Sequence, residues 1–142
     1  MAYSALEVAK YVINHEHGAG RQITNLRLQK LLYFVQAKVL VETGEPCFED
    51  EMEAWDYGPV VPVVYNEYCR YKSQAIDSVS NSSVNDDGVA KNIDEVLDYF
   101  GDTATFELVQ ITHAQTPWIE ARQRGNRAVI SKEAIRQFFE AA

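Results

Sequence analysis

Between Thr24 and Gly44 the chain sets Leu28, Leu31, Leu32, Val35 and Val39 at helical spacing, with apolar residues on more than one face. A surface helix needs only one apolar stripe, so a helix of this kind has to be surrounded. The stretch therefore predicts a central helix over about 25–43, capped by Thr24 or Asn25 and stopped by Gly44 with Pro46 just beyond. At 142 residues and 46% apolar, the chain has material for one core around it, and a single domain over 1–142 is expected.

The remaining patterns supply the neighbours. Ser4 followed by Glu7 reads as a capping box, opening a helix through Ala5, Leu6, Ala9, Val12 and Ile13 that ends at Gly18. Met52 and Ala54 alternate with Glu51, Glu53 and Trp55, which predicts a short strand over about 50–57. Gly58-Pro59 predicts a turn, and Pro62 is placed to begin a helix reaching Tyr71. Gln74-Ala75-Ile76 predicts a second strand, about 74–77, pairing with the first as a two-stranded hairpin. The polar run 78–88 reads as a surface loop. Helical spacing resumes from about Ala90 to Gly101 and from Thr103 to His113, restarts at Pro117, breaks at Gly125, and returns after Ser131 with Ile135, Phe138 and Phe139. The expected fold is mainly α, about six helices around the central one, with a small β-hairpin.

Charge narrows the functional classes. The net charge of −8 disfavours a protein that grips phosphate backbones, and with it a transcriptional regulator. The leucines of the central helix also consume the face a DNA reader would need. The charge is blocked: seven acidic and no basic residues run from Glu42 to Asp56, whereas Arg122, Arg124, Arg127, Lys132 and Arg136 make the tail basic. Such blocks are solvated faces, or a dipolar surface that steers a charged partner. No apolar run is long enough to span a bilayer, and the N-terminus lacks the blocks of a signal peptide, so a cytoplasmic protein with two reduced cysteines, Cys47 and Cys69, is expected.

Catalytic and metal patterns are weak. His15-Glu16-His17 places two histidines two apart, on different sides of a helix, where a zinc helix needs them four apart. Gly18-Ala19-Gly20 lacks the lysine and hydroxyl residue of a phosphate loop. No cofactor, metal or catalytic set is expected. The remaining enzymatic option is His113 with a nearby acidic side chain. Aromatic residues stand out instead: Trp55, Tyr57, Tyr65, Tyr68 and Tyr71 fall close together, split between core and a contact face.

Two runs carry a family likeness. One is Ile23-Thr24-Asn25-Leu26-Arg27-Leu28-Gln29-Lys30-Leu31-Leu32-Tyr33-Phe34, and the other is Glu53-Ala54-Trp55-Asp56-Tyr57-Gly58-Pro59-Val60-Val61-Pro62-Val63-Val64-Tyr65. With Thr112-His113, Pro117-Trp118 and Val129-Ile130-Ser131, the sequence resembles the Panacea domain of SocA-like antitoxins, a family that includes phage-associated GepA-like proteins. The resemblance covers nearly the whole chain and departs at Gln115, where an acidic residue is common in the family, which weakens a His-carboxylate pair. It implies the bare domain with no added DNA-binding segment. It also implies a protein encoded beside a toxin, often on a prophage or other mobile element, that neutralises that toxin by binding it. An acidic helical domain suits a binder of basic toxin surfaces, acting by blocking or by delivery to a protease. Self-association is left open. The expected partner-binding segment is Trp55, Tyr57, Gly58 and Pro59, with Gly58 and Pro59 shaping the turn that presents the tyrosine and His113 and Trp118 packing beside it.

Overall fold

The computed structural model describes residues 2–141. It is mainly helical. In chain order the elements are α1 (Ala5–Gly18), α2 (Asn25–Thr43), β1 (Met52–Trp55), β2 (Gly58–Val60), α3 (Pro62–Tyr68), α4 (Asp87–Tyr99), α5 (Thr105–His113), α6 (Thr116–Arg124), β3 (Val129–Ile130) and α7 (Lys132–Ala141). A single 3₁₀ turn, Cys69–Tyr71, extends α3.

α2 is the spine. Fourteen of its nineteen residues are buried, so no face is left to solvent along most of its length, and α1, α3, α4, α5, α7 and β2 all pack on it. Thr24 caps it, its hydroxyl accepting from the Arg27 amide at 3.2 Å, and Gly44 closes it with φ 79°. Burial on all sides takes polar residues inside as well as leucines. Asn25, Arg27, Gln29, Lys30 and Gln36 are all buried, and most of their hydrogen bonds go to the backbone of other segments. Arg27 donates to the carbonyls of Phe100 and Thr103 at 2.8 and 2.6 Å. Gln29 Oε1 accepts from Val61 N at 2.9 Å, and Asn25 donates to Tyr65 O at 3.1 Å. Gln36 accepts from Cys47 N and donates to Phe48 O, both at 2.8 Å. These bonds satisfy loops that would otherwise carry unpaired backbone groups into the core.

The strands depart from the expected pairing. β1 is flanked on both sides, in the order β2-β1-β3, with antiparallel partners Trp55↔Gly58 and Glu53↔Val60 on one edge and Met52↔Ile130 on the other. The reversal falls on Asp56-Tyr57, and Gly58-Pro59 begins the return strand. Gly58, at φ 110°, permits so early a return. Residues 74–77 therefore do not pair with β1; Ala75 bridges Thr24, and Ile76 N donates to Ile23 O at 2.8 Å.

Other ends follow local chemistry with small shifts. Ser4 Oγ accepts from Glu7 N at 3.3 Å, but the Glu7 carboxylate turns to Lys10 Nζ and Ser83 N instead of closing a capping box. α4 begins at Asp87, capped by Asp86, earlier than Ala90. Ser131 Oγ accepts from Ala134 N at 3.0 Å at the start of α7. The loop before α4 is tied to α1, with Ser82 Oγ donating to Glu7 O at 2.7 Å. Cys47 is buried, Cys69 exposed, and both are free thiols; burial pushes Cys47 up to about 12.

Candidate functional site

The β1–β2 hairpin is held from beneath by α2. Lys30 is fully buried and its Nζ donates to Pro59 O at 2.5 Å. Desolvation lowers its pKa to about 7. Gly58 lies so close to this amine that a Cβ there would come within 2.9 Å of Lys30 Nζ and 2.7 Å of Thr112 Oγ1. The glycine is thus required twice, by its φ and by the space it leaves.

From the side the hairpin is held by α6. Pro117 opens that helix near its first turn, which places Trp118 with its indole N–H donating to Trp55 O at 2.8 Å. Arg122, one turn on, donates to Ala54 O at 3.2 Å and to Asp56 Oδ1 at 2.9 Å. His113 stacks on Trp118, with ring centroids 4.1 Å apart and planes at 25°. Its Nε2 is buried and has no partner among the described residues. Burial, opposed by the Asp56 backbone and aided by the charges of Lys30 and Arg122, keeps the imidazole pKa below its ordinary value.

The structure thus brings all six expected residues together, in different roles. Gly58 and Pro59 are buried; Trp55, His113 and Trp118 are half-buried; Tyr57, at the reversal, is 64% exposed. Trp55 stands edge-on to Tyr65 at 5.0 Å, donates to Glu53 Oε1 at 2.9 Å, and carries the Arg127 guanidinium 3.9 Å above its ring. Beside this stack opens a cleft of about 510 Å³, lined by Leu26, Trp55, Tyr57, Tyr65, Lys72, Arg122 and Arg127 among others. A second, apolar groove of about 540 Å³ between α2, α4, α5 and α7 is lined by Phe34, Val41, Tyr99, Phe100, Ile111 and Phe139, and by none of the six.

Four residues of this site are invisible to periodicity. Lys30 sits inside a helix where a lysine reads as solvated, and Lys72, Arg122 and Arg127 come to the cleft from positions far from the hairpin in sequence. Gln115, the position at which the sequence departs from the family pattern, accepts from Tyr33 OH at 2.7 Å, a contact that holds the start of α6 to α2. The two N-terminal histidines diverge: His15 meets Asp94 and Asp98, while His17 Nε2 faces Ile76 O. No group of three or more potential metal ligands occurs among the described residues, and no helix there is long and apolar enough to cross a membrane.

Comparison with known proteins agrees with the motifs. The family described as Antitoxin SocA-like, Panacea domain matches residues 28–119, which include α2 from Leu28 onward, the hairpin, α3 to α5 and the start of α6. Antitoxin SocA of Caulobacter vibrioides (strain NA1000 / CB15N) is 33% identical over 127 residues, spanning 80% of this chain and 68% of that protein. No solved structure matches. A family match across more than half the chain, joined to a relative of this identity and coverage, places the protein in the SocA-like antitoxin family as a Panacea-domain member.

Proposed function

We propose that this protein is a cytoplasmic antitoxin that neutralises a cognate toxin by direct complex formation, without catalysis and without a cofactor, and that it is encoded beside that toxin on a mobile element. The observation that carries the reading is Tyr57. Its ring is 64% exposed at the tip of a hairpin whose other groups are fixed by Lys30, Trp118 and Arg122. An exposed aromatic on a rigid mount loses little entropy on binding, which is how interface anchors are built. Family membership supplies the biological role that the geometry alone does not.

Co-expression with the product of the neighbouring gene tests it. Growth arrest by that product alone, rescue by this protein, and elution of the two as one complex are expected; a harmless neighbour, or rescue without a complex, defeats the reading. Rescue by simple blocking titrates one to one, whereas hand-over to a protease lets one antitoxin clear several toxins. Toxin half-life with and without this protein separates simple blocking from hand-over to a protease.

A further inference from the structure

The cleft beside the hairpin has a charge opposite to that of the chain. Lys72, Arg122 and Arg127 line it against one carboxylate, Asp56, in a protein whose net charge is −8. Arg122 already holds Asp56 at 2.9 Å. Lys72 and Arg127 have no carboxylate within ion-pair distance among the described residues; Arg127 instead lies over Trp55. Both adopt a backbone that side chains avoid. They are the two non-glycine residues with positive φ among those described, Lys72 at 55° and Arg127 at 60°. Strained backbone of this kind persists where the surroundings enforce it and gathers at ligand clamps. Here two separate loops bear it, and each contributes a cation to the lining of one cleft.

We propose that this cleft is a receptor for an acidic peptide segment, whose carboxylates meet Lys72 and Arg127 while an apolar side chain lies against Tyr57 and Leu26. The segment belongs to the toxin, so the inference rests on the antitoxin reading and refines its partner chemistry. The volume of about 510 Å³ is in the range that encloses a few side chains. A guanidinium pairs with a carboxylate in planar, bidentate geometry, and the Arg127 guanidinium, lying over Trp55, makes no side-chain hydrogen bond among the described residues. The same arrangement tells against a nucleic acid. The indole face a base would stack on is taken by Arg127, Tyr65 stands against the same ring, and the acidic remainder of the chain repels a phosphate chain.

Fluorescence anisotropy with the full chain tests the cleft, using three labelled probes: an octapeptide alternating glutamate and tyrosine, its lysine-for-glutamate counterpart, and an eight-nucleotide oligothymidylate. Two double variants accompany the parent, Lys72→Glu with Arg127→Glu, and Lys72→Gly with Arg127→Gly; the second removes both cations while suiting the backbone, and thermal midpoints confirm that each is folded. The glutamate peptide is expected to bind, to bind more weakly in high salt, and to lose about tenfold or more affinity in both variants. Equal binding of the lysine peptide, binding of the oligonucleotide in place of the acidic peptide, or unchanged affinity in folded variants each overturns the inference. Co-expression separates the two levels. If the variants lose the peptide yet still silence the neighbouring toxin, the cleft is not where that toxin docks, and this inference falls while the antitoxin reading stands. If the parent binds the peptide through these cations but silences no toxin, the receptor stands and the antitoxin reading falls.

Discussion

Lys30 combines complete burial with a titration near neutrality, and the two are linked. In the unfolded chain its amine titrates near its ordinary value of 10.5; folded, desolvation lowers it to about 7. Between those values the unfolded state holds a proton that the folded state has released, so stability rises with pH across that window and, below it, the residue imposes a constant penalty. The urea midpoint is therefore expected to rise from pH 7 to pH 9, by on the order of 2 kcal/mol in stability, and Lys30→Met should flatten that rise. Above this range Tyr11, Tyr33 and Cys47, all pushed upward chiefly by burial, act in the opposite sense, so pH 9 is the upper limit of the comparison. His113 adds an acid branch: with its folded pKa depressed, stability is lost as pH falls below the ordinary imidazole range. Tyr57 has the opposite character, exposed and without a structural duty. Tyr57→Ala should leave the urea midpoint within about 0.5 kcal/mol of the parent and weaken toxin binding by about 1–2 kcal/mol in calorimetry; unchanged affinity would show that the toxin docks elsewhere.

Among the elements, the hairpin depends on a single residue for its seat. Gly58→Ala requires a Cβ at 2.7 Å from Thr112 Oγ1 and 2.9 Å from a buried amine, on a backbone with φ 110°. A loss of roughly 2–4 kcal/mol in urea unfolding is expected, and toxin binding should fall with it because Tyr57 moves. Gln36→Ala should cost about 2 kcal/mol by leaving Cys47 N and Phe48 O unpaired in the core. The helices were legible in the sequence, since apolar spacing, Ser4, Thr24, Pro62 and Ser131 are local signals and each of these residues marks a helix start in the structure. The strand partner was not. β1 pairs with a segment two residues away and with Val129-Ile130 far along the chain, and that choice depends on the φ of Gly58 and on closure of α6 and α7, neither of which leaves a periodic trace. The buried polar side of α2 escaped for a related reason: Lys30 meets Pro59 and Arg27 meets Phe100 across long stretches of sequence, so each reads as a solvated charge until its partner is in place.

Across the whole molecule, a net charge of −8 is gathered in blocks, the densest running from Glu42 to Asp56, while a small basic cleft sits beside the hairpin. A charged partner is oriented by such a distribution before contact, so the association rate of toxin and antitoxin should fall as salt rises while the dissociation rate changes less, measurable by stopped-flow mixing. The frame behind that face is largely fastened through main-chain atoms: Lys30, Gln29, Asn25, Arg27 and Gln36 bind carbonyls and amides of the segments they hold. A grip on carbonyls and amides is indifferent to the side chains those segments carry. Recognition and folding are thereby uncoupled at the hairpin tip, so a library randomised at Tyr57 should stay folded in nearly every member, and new partner specificities are open to the chain by substitution on its surface alone.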